Sequence, residues 1–362
     1  MKKVLVLYGG KSVEHDISII TALQAMNAIK NDVLLLPVYV TGDGQFVSAG
    51  NLLDVNIYSD FARKAKHKKE VYFQLGKGTV VLKGRFKNKT IKPDVALICN
   101  HGANGEDGMM SALMELAGIA YTCPSVECSS VCMDKEVAKI ILASKDIPVT
   151  DFVCGEDLKI KDITSALTFP IIVKPSRCGS SVGITKCDNA QQLKISIDIA
   201  KMYDKKLLFE HFIENGREFN CACLCRGGKY KTSKVCEVRP KGLYSFEEKY
   251  LSDKPSSTFK IEKEAKKMIE KLTVEVCKIL DCQGVVRVDF LMAKDGKMFV
   301  NEVNTIPGSL AFYLFDNMKE VVFESIDMAL ERFEKNKKIS FNNDSQALNV
   351  FANANMNKYA KK

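Results

Sequence analysis

An α/β protein of three domains is predicted: an N-terminal domain on a parallel sheet, a small α+β central domain, and a C-terminal domain on an antiparallel sheet. Three observations predict it. Apolar strand-like runs alternate with helix-like segments over residues 1–122, the pattern of a parallel sheet with crossover helices. Beyond that point strands follow one another in pairs, with breaks near 122 and 213. At 362 residues, 46% of them hydrophobic, the chain has material for two or three cores.

The elements follow in order. Residues 3–9 read as a buried strand ending in Gly9-Gly10, followed by a helix near 17–30 and a strand at 33–40. Residues 44–92 form an insertion, in which the alternation of Val71–Leu75 and Thr79–Lys83 predicts an exposed hairpin. A strand at 95–99 leads into a glycine-rich loop at 101–108 and a helix at 109–118. Ligands of such sheets sit at strand C-termini, where both glycine loops fall. The central domain, 123–213, opens a helix at Met133-Asp134-Lys135. It continues with a strand at 169–175, a loop through 174–183, a helix near 189–203 and a strand at 207–210. The third domain, 214–338, has strands at 218–226 and 232–239, a covering loop at 241–256 and a helix at 260–281. A hairpin at 284–304 and a helix near 316–334 complete it, and a polar tail at 339–362 is expected to be mobile.

Composition excludes collagen, coiled coil and wholesale disorder. No apolar run approaches the ~18 residues of a membrane span. The run after Lys2-Lys3 is short for a signal peptide and lacks a small-residue cleavage site. Thirteen dispersed cysteines without C-x-x-C pairs point to a reducing cytoplasm and to cysteine as a small core residue, rather than to zinc or disulfides. The net charge is +9, and residues 63–92 carry the whole excess, with eleven Lys/Arg against Glu70. No nucleic-acid motif accompanies this segment, which reads as a solvated face.

Two stretches carry chemistry. Val285–Met292 and Met298–Asn304 flank Asp295-Gly296, a strong two-residue turn signal. That turn places Asp289 opposite Glu302 and Arg287 opposite Asn304, on one face, with Val288, Phe290 and Val303 on the other. Opposed carboxylates repel and call for a cation; Asp, Glu and Asn oxygens are hard donors suited to Mg²⁺. The second stretch, Lys174-Pro175-Ser176-Arg177-Cys178-Gly179-Ser180-Ser181-Val182-Gly183, lets backbone amides approach phosphates. It is not a P-loop, because Lys174 precedes the glycines and both flanks read as strand. It predicts a flap over a triphosphate.

Together with Gly9–Ser18, His101–Gly108, Met133–Lys135, Glu248–Asp253 and Asn301–Gly308, these stretches resemble, in order and over residues 1–310, the D-alanine–D-alanine ligases of the ATP-grasp superfamily. The resemblance implies a three-domain ATP-grasp fold with nucleotide between the last two domains. It implies phosphate contacts from Lys135, Lys174, Lys249 and the flap residues Gly179 and Ser181. Glu210, Phe212, Ile213 and Leu291 would surround adenine, with Glu218 on the ribose. Asp289, Glu302 and Asn304 would hold two Mg²⁺ (or Mn²⁺), Glu302 bridging them. Glu14 would bind the first substrate's ammonium, linked to Ser180 and Tyr250, with His101 nearby; Arg287 and the Gly308 amide would form the oxyanion hole. The implied activity joins two D-amino acids for peptidoglycan precursor synthesis, in a cytoplasmic homodimer that binds neither nucleic acid nor membrane.

The sequence departs from the family after Gly308. Tyr313 stands where a Ser usually helps hold the second substrate, and the following Pro is absent. D-Ala–D-Ala is the expected product, with D-Ala–D-Ser or another D-amino acid as rival. Tyr250 favours an amide product over the ester of lactate-using members. A different carboxylate ligase and a non-catalytic nucleotide- or anion-binding protein remain the alternatives of other classes.

Overall fold

The computed structural model describes residues 1–238 and 261–338. The loop 241–256, with Lys249 and Tyr250, and the tail 339–362 lie outside the described residues.

The N-terminal sheet is built around β1 (Lys3–Gly9), whose residues after Lys3 are all buried. A continuous apolar strand of this kind needs cover on both faces. It lies between β2 (Leu34–Val40) and β7 (Val95–Ile98), both parallel to it, and β8 (Ala120–Tyr121) follows β7 in parallel. The helix His15–Ile29 buries Ile19, Ala22, Leu23, Met26 and Ile29 against these strands.

The insertion is more than the expected exposed hairpin, and the sheet is mixed rather than wholly parallel. β4 (Lys69–Gln74) and β5 (Thr79–Leu82) pair antiparallel. However, β3 (Phe46–Ser48) joins β4 to β2, and β6 (Lys89–Ile91) pairs with β5. The eight strands run in the order β6-β5-β4-β3-β2-β1-β7-β8. The physical reason is the open edge that β2 would otherwise present. Alternation buries Val71, Val80 and Leu82, and most of the lysines and arginines of 63–92 face solvent.

The central sheet contains β9 (Phe152–Gly155), β10 (Ile171–Pro175), β11 (Thr185–Cys187) and β12 (Leu207–His211), all antiparallel, in the order β11-β10-β12-β9. The helices Ile160–Ala166 and Ala190–Lys201 cover it, around Ile163, Leu193 and Phe209. The third sheet is also antiparallel: β13 (Arg217–Arg226), β14 (Lys229–Val238), β15 (Gly284–Met292) and β16 (Met298–Asn304), in the order β14-β13-β15-β16. Its core is completed by the helix Lys263–Ile279 and by Cys128, Cys132 and Leu142 of the helices Val126–Met133 and Lys135–Ala143.

The helix Met318–Asn336 returns to the N-terminal sheet, sinking Val321, Val322, Ile326 and Ala329 into the same core as β1 and β7. No helix among the described residues is long and apolar enough to cross a membrane.

Candidate active site

The carboxylate hairpin has the expected facing pairs, but reaches them by two offsets that cancel. Asp289 pairs with Glu302 and Arg287 with Asn304. Near the turn, however, Met292 pairs with Met298, and the Ala293 carbonyl accepts from Gly296 N in a loop where Gly296 has φ +87. That is a three-residue loop, one longer than predicted. A bulge at Asn301, between the Phe290–Val300 and Asp289–Glu302 pairs, restores the register. Bulges re-aim side chains, and here Asn301 Oδ1 accepts from Lys174 Nζ at 3.3 Å. Val288, Phe290 and Val303 are buried on the opposite face.

The expectation that the carboxylates need a metal for charge balance is modified. Arg287 donates to both oxygens of Asp289, at 2.7 Å each. Asn220 and Asn304 amides donate to the same carboxylate. Lys135 Nζ lies 3.7 Å from Glu302. Burial alone would raise the Glu302 carboxyl, but Lys135, Lys174 and Arg287 outweigh it and hold the group below the usual range. The donor set still suits a hard cation, which would share Asp289 with the guanidinium.

Behind the hairpin, Glu210 is clasped by two lysines. Lys174 pairs with one oxygen, Lys139 Nζ lies 2.6 Å from the other, and Thr150 donates to that same oxygen at 2.8 Å. All four side chains are buried. Burial would raise the Glu210 carboxyl; the two ammonium groups instead bring it down to about 2. Its side chain is thus committed to ion pairs, and any part in an adenine pocket falls to the backbone around it. Phe212 lies under Lys186 Nζ, 4.8 Å from the ring centre. Glu218 and Leu291 are register partners on β13 and β15. Phe212 and Ile213 lie on the connection from β12 of the second sheet to β13 of the third.

At the other end of the cleft, the loops after β1 and β7 meet the flap. Ser18 accepts from Gly9 N and donates to the Cys99 carbonyl, locking the carboxyl ends of the two strands together. Glu14, immediately before the helix His15–Ile29, is 8% exposed. Ser180 Oγ donates to its Oε1, and Oε2 is buried with no hydrogen-bond partner among the described residues. A Cβ on Gly102 or on Gly179 would collide with this carboxylate, so both loops approach it as only glycine allows. Ser180 and Ser181 hold φ +52 and +58. Lys135 reaches the flap as well, donating to the Cys178 carbonyl at 2.6 Å. Burial, and then the Glu302 charge, raise the Glu14 carboxyl against the lowering by Ser180.

His101 is buried, and burial pushes its imidazole down to about 4, leaving it neutral near pH 7. Its Nε2 lies 2.8 Å from Thr21 Oγ1, which also accepts from Ser309 N at 2.9 Å. His101 therefore braces the turn after Gly308. In that turn Ser309, Leu310 and Ala311 are all left-handed, at φ +50 to +52, a conformation costly for residues with a Cβ. Tyr313, just beyond, accepts from Arg287 Nη1 at 3.3 Å through its hydroxyl.

Three further residues, Glu106, Lys139 and Asn220, bear on the site and carry no assignment from the sequence. Glu106 accepts from Gly102 N at 2.9 Å and Ile306 N at 3.2 Å, tying the 101–108 loop to the 305–309 turn. Burial, with the Glu14 charge, pushes it up to about 8. It lies inside a motif that was recognised, yet nothing local marks its partner. Lys139 shares a helix face with Lys135, four residues on, a usable signal. Asn220 becomes visible only once β13 is known to pair with β15.

A flap on the second, antiparallel sheet, the lysines beside it and a carboxylate hairpin on the third sheet are the arrangement of an ATP-grasp fold. Residues 3–124 match the family described as D-ala D-ala ligase N-terminus, and residues 141–322 the D-ala D-ala ligase C-terminus. The D-alanine–D-alanine ligase of Thermosipho melanesiensis is 34% identical over 370 residues, covering 97% of this chain and 99% of the relative. That of Staphylococcus haemolyticus is 31% identical, covering 95% and 99%. Among solved structures, the D-alanine-D-alanine ligase from Coxiella burnetii aligns with a TM-score of 0.80 at 24% identity, over 93% of this chain and 96% of that one. The VanG D-Ala:D-Ser ligase from Enterococcus faecalis aligns with a TM-score of 0.76 at 28% identity, over 92% and 99%. The chain belongs to the D-alanine–D-alanine ligase family, enzymes of peptidoglycan synthesis, and membership implies ATP and a divalent cation.

Proposed function

We propose that the protein joins D-alanine to a second D-amino acid, D-alanine first among the candidates, with ATP cleaved to ADP and phosphate. The observation that carries this reading is the buried Glu14 carboxylate with its unpartnered Oε2. It meets the flap at Ser180 and suits the ammonium of an amino-acid substrate.

In this reading the carboxylate of the first D-alanine attacks the γ-phosphorus, a P–O bond forms, and ADP leaves. Lys135 and Lys174 offset charge on the moving phosphoryl group. Asp289, Glu302 and Asn304 would hold two Mg²⁺ ions, which supply further charge neutralisation when bound. The amine of the second substrate then attacks the acyl carbon. Arg287 and the Gly308 amide stabilise the oxyanion, a proton leaves the nitrogen, and phosphate departs. The closed flap keeps water from the acyl phosphate. The homodimer implied by the resemblance belongs to the same reading.

A second reading, D-serine as the second substrate, is favoured by Tyr313. Its hydroxyl on Arg287 adds a polar group beside the oxyanion position, and a D-Ala:D-Ser ligase is among the structural neighbours. The test is ADP release with ATP, Mg²⁺ and D-alanine alone, then with D-serine or D-lactate added, with products identified by mass spectrometry. D-Ala–D-Ala from D-alanine alone is the expected result. Turnover only in a pair would move the second site to the other amino acid, and silence throughout would overturn the reading.

Ser180→Ala tests the flap. Hydrogen bonds to charged groups contribute about 1.5–3 kcal/mol, so kcat/KM for the first D-alanine should fall roughly 10- to 100-fold. An unchanged value would detach Ser180 from substrate closure.

A further inference from the structure

Six thiols in the core of the third sheet form a cluster that the ligase reaction does not use. Cys128 and Cys132 sit one turn apart on the helix Val126–Met133, and Cys223 and Cys225 on β13. Cys277 lies near the end of the helix Lys263–Ile279, and Cys282 just after it. Each carries a free thiol and is at most 5% exposed. The sulfurs of Cys128, Cys132 and Cys282 lie within 4.8 Å of one another, as do those of Cys223, Cys225 and Cys277. Cys282 N donates to the Cys277 carbonyl at 2.8 Å, so the two groups adjoin.

The spacing fits a metal. Cys128 Sγ is 3.9 Å from Cys132 Sγ and 3.8 Å from Cys282 Sγ. Sulfurs around one ion at a Zn–S distance of ~2.3 Å stand about 3.8–4.0 Å apart in tetrahedral or trigonal geometry. Cysteine as a small apolar core residue accounts for single positions. It gives no reason for thiols from four chain segments to meet at their sulfur atoms. A cavity of about 220 Å³ beside Tyr230 and Arg332 has Cys225 and Cys282, one from each group, among its lining residues.

We propose that this cluster binds a thiophilic cation, Zn²⁺ or Cu⁺, with one ion in each three-thiol group and Cys277 and Cys282 placed to bridge them. Each coordinated thiol gives up its proton, so three thiolates leave a net charge of −1 around Zn²⁺ and −2 around Cu⁺. The smaller residual charge favours Zn²⁺ in a buried site.

The test uses the full-length chain, purified reduced and stripped of metal. It is mixed separately with Zn²⁺, Cu⁺ and the spectroscopic probe Cd²⁺, then desalted. Up to two ions retained per chain, a thiolate-to-Cd²⁺ ultraviolet band, and a sulfur-only first shell in X-ray absorption are the expected results. Excess Mg²⁺ should displace none of them. Retention of Zn²⁺ alone or Cu⁺ alone names the cation. A Cys128→Ala/Cys132→Ala variant should retain one ion fewer; if it does not fold, the wild-type shell composition decides. No retained ion in a fully reduced chain, a first shell containing nitrogen or oxygen, or disulfides within the cluster would overturn the proposal. None of these readouts depends on ADP formation, so this test and that of the ligase reading fail independently.

Discussion

Glu302→Gln is expected to lower kcat by roughly 10²- to 10³-fold, the order seen when one preorganised charge is removed from an active site. The substitution keeps shape and removes one negative charge from the hairpin face. Lys135 at 3.7 Å, Lys174 and Arg287 then converge on a neutral group. In the proposed reading the cation would lose one of its two carboxylate ligands, so the Mg²⁺ concentration for half-maximal ADP release should rise together with the fall in kcat. Both follow from one titration of rate against Mg²⁺, with circular dichroism to verify the fold. A rate near that of the unaltered enzyme would sink the assignment of Glu302 to the metal.

Glu210→Leu should cost about 3–5 kcal/mol of stability, because Lys139 and Lys174 lose the carboxylate that compensates them in a buried site. Urea unfolding measures it. The double variant Glu210→Leu/Lys139→Met should recover part of the loss, since replacing both partners leaves fewer buried charges unmatched. The same clasp sets a pH dependence. The folded carboxyl, at about 2, lies below its ordinary value of ~4.3. A depressed carboxyl contributes stability fully above the unfolded value and loses it as pH falls through the folded one. Wild-type stability should therefore drop between about pH 4.5 and pH 2, and the Glu210→Leu variant should lack that component. Equal slopes for the two proteins would remove Glu210 from the acid response.

Much of this site was legible because its signals are local. Asp289, Glu302, Arg287 and Asn304 share a short hairpin, and strand alternation decides their face. Even so, the longer loop at Gly296 and the bulge at Asn301 are individually invisible in the sequence; the predicted pairs survive because one offset cancels the other. Glu210 was legible as a residue but not in its environment. Its partners Lys139 and Thr150 are 71 and 60 positions away, and no spacing rule links them. Asn220 and Glu106 were hidden for the same reason. The insertion at 44–92 showed its hairpin through alternation, whereas its attachment to β2 depended on an edge that the assembled sheet alone creates.

The sequence by itself determined the principal strands and helices around the site, the glycine loops, the facing carboxylates and the family. Each rests on period, turn chemistry or an ordered motif within one stretch of chain. Tertiary structure alone decided which charges neutralise which, that Glu14 ends beneath Ser180 and between Gly102 and Gly179, and that six scattered cysteines meet at their sulfurs. Those outcomes follow from packing between segments far apart in sequence, where burial removes water and makes the nearest polar group, however distant along the chain, the one that sets the energy.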